Sequence, residues 1–202
     1  MAHIPDGILS APVLVGASLL ATGGIAFGLR QLNEQSVPRA AILAAALFVG
    51  SLFSLPIGPA SVHLLLSGVM GIILGAGAFP AVLVALFLQT VLFGFGGLTT
   101  LGVNTFNIAL PGVLLGSALG PRLLAATPAR RSLLAGLIGA LSVLGTGAMV
   151  ALTLALSSAD YTPVASVMLA TYLPLALVEA MVTLTIISFL ARVRPDALRP
   201  AL

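Results

Sequence analysis

The sequence predicts an all-α integral membrane protein, and three observations support that class. Of the 202 residues, 59% are hydrophobic and 6% are charged, whereas a soluble domain carries roughly 25% charged residues. The mean hydropathy is +1.22. Apolar runs close to the length that crosses a bilayer, about 20 residues, recur along the whole chain. Five acids and eight bases are too few to cover a soluble globule of this size.

Seven apolar runs are each bounded by Pro, Gly or charge, which interrupt helices. The predicted spans cover residues 11–29, 40–55, 62–76, 80–95, 105–125, 132–157 and 163–191. A polar connection with Arg at both ends separates the first span from the second, and a Pro-containing loop separates the second from the third. The third and fourth are short and nearly contiguous. A Gly-rich loop precedes the fifth span, paired Arg residues precede the sixth, and a Ser-Asp connection precedes the seventh.

All eight basic side chains are Arg, and they lie in the first connection, in the connection after the fifth span and in the C-terminal tail. They are Arg30, Arg39, Arg122, Arg130, Arg131, Arg192, Arg194 and Arg199. Because cytoplasmic loops collect Arg and Lys, seven spans place the C-terminus in the cytoplasm and the N-terminus outside. The pI of about 10.7 therefore reflects topology, and no nucleic-acid partner is expected.

The chain is predicted to form one membrane domain over residues 1–202, preceded by no cleaved signal peptide. Residues 1–10 form an N-terminal tail that carries Asp6 and lacks the positive charge of a signal sequence. With no Cys in the chain, disulfides and thiolate metal sites are excluded. Any metal site must use nitrogen and oxygen ligands.

Small residues four positions apart let membrane helices pack closely. Such sets are Gly24 and Gly28, Ala40 and Ala44, Ala41 and Ala45, Gly71 and Gly75, and Gly112, Gly116 and Gly120. We expect them to pack within the bundle. An exposed Ala face on the second span, used to dock a partner, is the alternative.

The two histidines are predicted to lie on the same, outer side of the membrane. His3 is in the N-terminal tail, and His63 opens the third span after a Pro-rich loop. A lone His near a helix end is often a hydrogen-bonded structural residue. Two that converge from distant segments favour a metal site instead.

A free N-terminus next to His3 can chelate a metal through nitrogen alone. If Met1 is removed, the Ala2 amine, the His3 amide and His3 Nδ1 give three donors, and His63 supplies the fourth. If Met1 is retained, the tail provides four nitrogens and His63 is axial or more distant. Planar nitrogen sets suit Ni(II) and Cu(II). In the alternative, residues 4–7 form a simple turn and His3 is solvated.

Three motifs resemble the cobalt/nickel substrate-binding subunit of energy-coupling factor transporters, the CbiM/NikM family. They are the opening His3-Ile4-Pro5-Asp6-Gly7, the stretch Pro56-x-Gly58-x-x-Ser61-x-His63-Leu64, and Phe93-Gly94-x-Gly96-Gly97-Leu98-Thr99-x-Leu101-Gly102-x-Asn104. The likeness covers nearly the whole chain. It implies a seven-helix fold whose N-terminus is tucked into the bundle from outside.

The resemblance implies a nearly planar Ni(II) or Co(II) site. The ligands would be the amine of Ala2, the amide and Nδ1 of His3, and the imidazole of His63. Members usually begin Met-His, so Ala2 is an addition. Phe95 stands where an acid is expected and Tyr172 where a His is expected. By their predicted depth, Ser61, Gln89, Asn104 and Asn107 could support the site and fix the imidazole tautomers. The alternative is that they satisfy backbone groups around the Gly-rich loop.

Glu179 is the one acid within a predicted span, which makes it a functional candidate. It lies about 24 Å below the outer start of the seventh span at roughly 1.5 Å per residue. That depth predicts a role in hydrogen bonding or partner contact in the inner half, away from the metal.

The resemblance implies the substrate-binding component of an ATP-binding-cassette importer in the cytoplasmic (inner) membrane of a prokaryote. Implied partners are a transmembrane coupling subunit, two cytoplasmic ATPases and sometimes a small accessory membrane subunit. No enzymatic activity is expected, because a chain without Lys cannot form the phosphate-binding loop of an ATPase. The alternative is a self-sufficient metal-ion channel or ion-coupled carrier, which normally needs ionisable residues at mid-depth; only Glu179 is available.

Overall fold

Seven α-helices make up most of the chain that the computed structural model describes, which comprises residues 3–53, 55–57 and 60–198. Side chains are described for these residues except 55–57, 60–62, 165 and 166. The helices are α1 (Ala11–Gln31), α2 (Val37–Gly50), α3 (Ser67–Leu74), α4 (Ala78–Phe93), α5 (Leu101–Ala125), α6 (Pro128–Ser157) and α7 (Thr162–Val193). Short 3-10 turns occupy Gly75–Gly77, Ala159–Tyr161 and Pro195–Leu198.

A small antiparallel hairpin follows α2. Its strands are β1 (Leu55–Ile57) and β2 (Ala60–Val62), with Leu55 opposite Val62. The predicted spans 40–55 and 62–76 are therefore wrong at this junction, because α2 ends at Gly50 and α3 begins only at Ser67. The residue before a proline is disfavoured in the helical region, and Leu55, which precedes Pro56, is extended.

The chain is an α-helical, multi-pass membrane protein. Five helical stretches in the described part of the chain are long and apolar enough to cross a bilayer, and α2 is a shorter apolar helix. Residues 67–93 count as one of the five, although α3 and α4 are separate helices there. With eight residues, α3 is only about 12 Å long and does not cross a bilayer alone. The count of seven spans stays a prediction.

The short helix α3 is the centre of the bundle, and all of its residues are buried. It runs parallel to α5, with Ser67 against Gly112 and Gly71 against Gly116. A Cβ atom on either of these α5 glycines would overlap the backbone of α3. Close backbone approach of this kind is what small residues allow between membrane helices.

The turn after α3 reverses the chain. Gly75 has φ +54° and ψ −130°, a conformation that glycine adopts readily. The prediction that Gly71 and Gly75 both pack within the bundle is therefore correct for Gly71, which lies against Gly112 of α5. Gly75 instead ends α3. α4 then returns along α2, where Phe93 contacts Phe48 with ring centroids 5.6 Å apart.

The first helix packs through its predicted glycines. A Cβ atom on Gly24 would lie 2.8 Å from the Phe79 ring, and one on Gly28 would overlap the carbonyl of Ala76. On α2, Ala40 and Ala44 are buried, whereas Ala41 and Ala45 are exposed. Of the two Ala faces, the second is thus the one that stays on the surface of the bundle.

The Arg residues of the described chain gather at one end of the bundle and the histidines at the other. A cavity of about 660 Å³ at the Arg end is lined by Arg30, Gly75, Leu124 and Leu198, which brings together the C-terminal ends of α1, α3 and α5 and the C-terminal tail. Arg39 Nη1 donates to the carbonyl of Ala197 at 3.4 Å.

The packing of α3 on α5 predicts a sharp difference between two glycines of the same helix. Gly112→Ala places a methyl group in the Ser67 backbone and should cost about 2 kcal/mol or more. Gly120→Ala meets nothing within 4 Å and should leave stability unchanged or slightly raised. Thermal unfolding in detergent measures both. Equal melting temperatures for the two variants would contradict this packing.

Candidate functional site

The N-terminal tail is inserted into the bundle. His3 is 5% exposed and Ile4 is 3% exposed. Asn104 of α5 pairs with both backbone groups of Ile4: Ile4 N donates to Asn104 Oδ1 at 3.0 Å, and Asn104 Nδ2 donates to the Ile4 carbonyl at 3.0 Å. Thr100 Oγ1 donates to the same carbonyl at 2.7 Å. The alternative of a solvated tail is therefore wrong.

Asp6 fastens the tail to the start of α5. Its Oδ1 accepts hydrogen bonds from Thr99 N at 3.0 Å, Thr99 Oγ1 at 2.5 Å and Thr100 N at 3.3 Å. The Thr99 hydroxyl bond, with the backbone bonds, lowers the pKa of the Asp6 carboxyl. A carboxylate at a helix N-terminus is also favoured by the helix dipole.

The glycines of the loop before α5 make room for the tail. A Cβ atom on Gly97 would overlap the Asp6 carboxylate, and one on Gly96 would lie 3.2 Å from His3 Cβ. Gly96 also has φ +76°, in the left-handed region that favours glycine. The Gly-rich loop is therefore the surface against which the N-terminal segment packs.

The two histidines meet directly. His3 Nε2 and His63 Nε2 are 3.0 Å apart, and the rings stack with centroids 5.0 Å apart and an interplanar angle of 26°. Both side chains are buried, at 5% and 4% exposed. Residues 60 positions apart in sequence are thus brought into contact at the end of the bundle opposite the Arg residues.

Hydrogen bonding defines the tautomer of each ring. His63 Nδ1 lies 2.9 Å from the Leu64 carbonyl, which can only accept, so Nδ1 carries the proton and Nε2 of the neutral ring has a free lone pair. His3 Nε2 is then the donor of the contact between the rings, and His3 Nδ1 is unprotonated. This assignment follows from the hydrogen-bond network.

The His3 ring is neutral at physiological pH. Burial, with repulsion from His63, lowers the pKa of His3 to about 3. Unprotonated imidazole nitrogens are the form that ligates metals.

Of the predicted donor set, the structure describes the two histidines, while Met1 and Ala2 lie outside the described residues. The His3 atom that faces His63 is Nε2, whereas the predicted chelating atom is Nδ1. A metal between His3 Nδ1 and His63 Nε2 would replace the hydrogen bond between the rings. No group of three or more His, Cys, Asp or Glu side chains that could hold a metal occurs in the described chain. The further ligands of the predicted set are the backbone nitrogen of His3 and the terminal amine.

The predicted supporting residues have different partners from those expected. Asn104 holds Ile4, as described above, rather than an imidazole. Asn107 Nδ2 donates to Thr153 Oγ1 of α6 at 3.2 Å, and Gln89 Nε2 donates to the Leu47 carbonyl at 3.5 Å. The Ser61 side chain lies outside the described residues. The imidazole tautomers are fixed by the Leu64 carbonyl and by the contact between the rings.

Glu179 is closer to this region than its depth in the sequence suggested. Its Oε1 accepts hydrogen bonds from the backbone N–H groups of Leu65 and Leu66. The expectation of hydrogen bonding is correct, but the expected separation from His63 is wrong. Leu65 is two residues from His63, a separation of about 7 Å at most, so His63 lies near the level of Glu179 and deeper than the outer start of the seventh span from which the depth was estimated.

Three contacts were missed by sequence reasoning. They are Asp6 on Thr99, Thr100 on Ile4, and Glu179 on Leu65 and Leu66. The signals available were the acid in an otherwise apolar tail and the single acid within a span. Tyr172 and Phe95 differ from the residues that the family resemblance leads us to expect. Tyr172 is buried against Gly147, and Phe95 packs beside Phe93 with ring centroids 5.9 Å apart.

Comparisons with known proteins are consistent with this arrangement. A family model described as the cobalt uptake substrate-specific transmembrane region matches residues 3–197. A Haemophilus influenzae protein whose name proposes metal transport is 35% identical over 198 residues, covering 97% of this chain and 96% of that protein. A cobalt transport protein CbiM of Sorangium cellulosum is 31% identical over 217 residues, covering 97% of this chain and 94% of the relative.

One relative and one solved structure add to these. A fused nickel transport protein NikMN of Rhodobacter capsulatus is 39% identical over 145 residues, covering 67% of this chain and 42% of that protein. The crystal structure of a truncated transition metal transporter superposes with a TM-score of 0.80 at 24% identity, covering 94% of this chain and 98% of that one. At this identity the superposition shows the shared fold. The names of these relatives describe transport rather than catalysis.

Asn104→Ala should release the N-terminal tail. The change leaves both backbone groups of Ile4 without their amide partner in a buried position, which costs roughly 1–3 kcal/mol. Hydrogen–deuterium exchange of the Ile4 amide should accelerate about tenfold or more. Asn107→Ala, which removes an equally buried Asn of the same helix, should leave Ile4 exchange unchanged. Equal effects of the two variants would show that Asn104 does not hold the tail.

Proposed function

Since this chain belongs to the CbiM family of cobalt uptake substrate-specific transmembrane proteins, we propose that it is the substrate-binding component of an energy-coupling factor importer and captures Ni(II) or Co(II). The observation that carries the proposal is the direct contact of two buried, neutral histidines, one in the inserted N-terminal tail. Two buried imidazoles in direct contact, each with one unprotonated nitrogen, are suited to a metal that prefers nitrogen ligands.

The proposed ligands are those of the sequence-based hypothesis. They are the Ala2 amine once Met1 is removed, the amide nitrogen and Nδ1 of His3, and Nε2 of His63. Asn104, Thr100 and Asp6 support this set because they fix the residues that follow His3. The free Nδ1 of His3 and the protonated Nδ1 of His63 are the tautomers that the set requires.

We place the protein in the inner membrane of a prokaryotic cell. The histidine end of the bundle faces outwards, and the Arg end faces the cytoplasm. The clustering of Arg at one end is the basis, because positive residues collect on the cytoplasmic side. The chain then passes between the two ends seven times. The third pass, residues 63–77, is helical only in α3.

Energy for import would come from partner subunits, a transmembrane coupling protein and two cytoplasmic ATPases, with a small accessory membrane subunit in some systems. The chain has no Lys with which to form a phosphate-binding loop. At the Arg end, the cavity lined by Arg30 and Ser117 and the exposed residues Ala41 and Ala45 offer surfaces for the coupling protein.

A self-sufficient channel or carrier is the second candidate. Carriers coordinate ions at mid-depth with ionisable side chains or unwound helices. Glu179 beside the non-helical residues 63–66 is the feature that favours it. However, Glu179 Oε1 already accepts hydrogen bonds from the backbone N–H groups of Leu65 and Leu66. This favours a fixed structural contact over an ion pathway.

Metal binding should depend on a free N-terminus. An uncleaved Gly-Ser extension blocks the amine and should abolish Ni(II) binding, because the fused chelate rings cannot close, while the melting temperature stays the same. Intact-mass spectrometry with elemental analysis of the purified protein reads the terminus and the metal together. His63→Ala should weaken binding about 100-fold or more if Met1 is removed, and only a few-fold if Met1 is retained. Full affinity in the extended protein would contradict the terminal-amine model.

Transport should require the partners. Purified subunit in liposomes, loaded with a fluorescent metal chelator, should show no Ni(II) uptake above that of empty liposomes. Liposomes that also contain the coupling protein and ATPases should take up metal when ATP is present on the side of the ATPases. Uptake by the subunit alone would support the carrier instead.

A further inference from the structure

We propose that Glu179 of α7 is a positioning residue for His63, which it orients through the peptide unit between Leu64 and Leu65. The inference rests on the proposed function, since it concerns how the metal-binding imidazole is held. It assigns a role to the single acid within a helix of the bundle, which is completely buried.

The contact joins three groups in a row. His63 Nδ1 donates to the carbonyl of Leu64 at 2.9 Å. The N–H of Leu65 belongs to the same peptide unit as that carbonyl and donates to Glu179 Oε1. Because the peptide is planar and its C=O and N–H point in opposite directions, bonds at both of its ends fix its rotation. The carboxylate on one side therefore sets the direction of the imidazole on the other.

The same arrangement determines the tautomer. Hydrogen bonds in a chain polarise one another, so a carboxylate that accepts from Leu65 N–H makes the Leu64 carbonyl a better acceptor for His63 Nδ1–H. Metal-bound histidines commonly donate their second nitrogen to a carboxylate or a carbonyl, which orients the ring. Here a peptide unit stands between the imidazole and the carboxylate, and Nε2 is left free for the metal.

The backbone around Leu66 has a conformation that needs support from outside its own segment. Leu66 has φ +51° and is the one residue other than glycine with positive φ in the described chain. Such a conformation costs roughly 1–2 kcal/mol for a residue with a Cβ atom and persists where surrounding contacts enforce it. Leu66 is also the N-cap of α3, and its side chain makes no capping bond.

Glu179 supplies the missing cap from another helix. Its Oε1 accepts from Leu66 N at 2.9 Å, and a carboxylate near the N-terminus of α3 is favoured by the helix dipole. The second oxygen, Oε2, is buried with no hydrogen-bond partner in the described chain. Burying a carboxyl group with one unpaired oxygen costs free energy. We attribute the presence of Glu179 to its hydrogen bonds with residues 65 and 66.

The test measures Ni(II) affinity and the d–d absorption of bound Ni(II) in the full-length protein with its native N-terminus. Glu179→Leu should raise Kd about 10- to 100-fold and shift the d–d band, because His63 loses its fixed orientation. Glu179→Gln keeps an acceptor oxygen and should retain the wild-type band with a Kd only a few-fold higher. Thr183→Val, one turn further along α7 and also buried, should leave both unchanged.

The outcomes separate this inference from the function on which it rests. If the wild-type protein binds no Ni(II), the proposed function fails. If it binds, wild-type Kd in Glu179→Leu overturns the positioning role. Weaker Ni(II) binding by Glu179→Leu with an unshifted d–d band also overturns the positioning role, because a general loss of packing would lower affinity without changing the ligand geometry. Should the Leu variant fail to fold, Glu179→Met, which keeps the side-chain length but has no acceptor oxygen, takes its place, and a wild-type Kd there gives the same negative answer.

Discussion

Two stretches of non-helical backbone, residues 3–4 and 63–66, lie within the bundle, and their polar groups must find partners there. A helix satisfies its own backbone, but these segments cannot. The partners are side chains of other elements: Asn104 and Thr100 for Ile4, and Glu179 for Leu65 and Leu66. The same bonds that make burial possible also bring His3 and His63 together, so the site exists because the backbone around it is supported.

The glycines serve this arrangement from outside the site. Gly112 and Gly116 let α3 lie against α5, which sets the depth at which residues 63–66 enter the bundle. Gly96 and Gly97 leave room for His3 and Asp6. Larger residues at the first pair would displace the segment that carries His63, and at the second pair they would displace the tail. Both halves of the histidine pair therefore depend on close backbone packing.

The sequence predicted the features that depend on composition and periodicity. Helix positions follow from apolar runs between Pro, Gly and Arg, and the convergence of His3 and His63 follows from counting spans. It missed the paired strands at residues 55–57 and 60–62 because apolar residues next to prolines also occur at the ends of helices. It misplaced Glu179 because the depth estimate put His63 at the outer start of its span, whereas the bond from Leu65 to Glu179 brings His63 to within about 7 Å of the level of that carboxyl group. Asn107 and Gln89 were assigned to imidazoles, although buried amides pair equally well with neighbouring helices.

The two histidines are held by different helices, and this has a mechanical consequence. His3 is fixed through Ile4 to α5, while His63 is fixed through the Leu64 peptide to α7. His63 also belongs to the segment that leads into α3, which packs on α5, so the separation of the two imidazoles depends on how α7 and α3 together lie against α5. In the proposed ligand set, a displacement of about 1 Å between these helices is large compared with the tolerance of metal–nitrogen distances, which is about 0.2 Å. Metal affinity in such a set would therefore depend on helix packing.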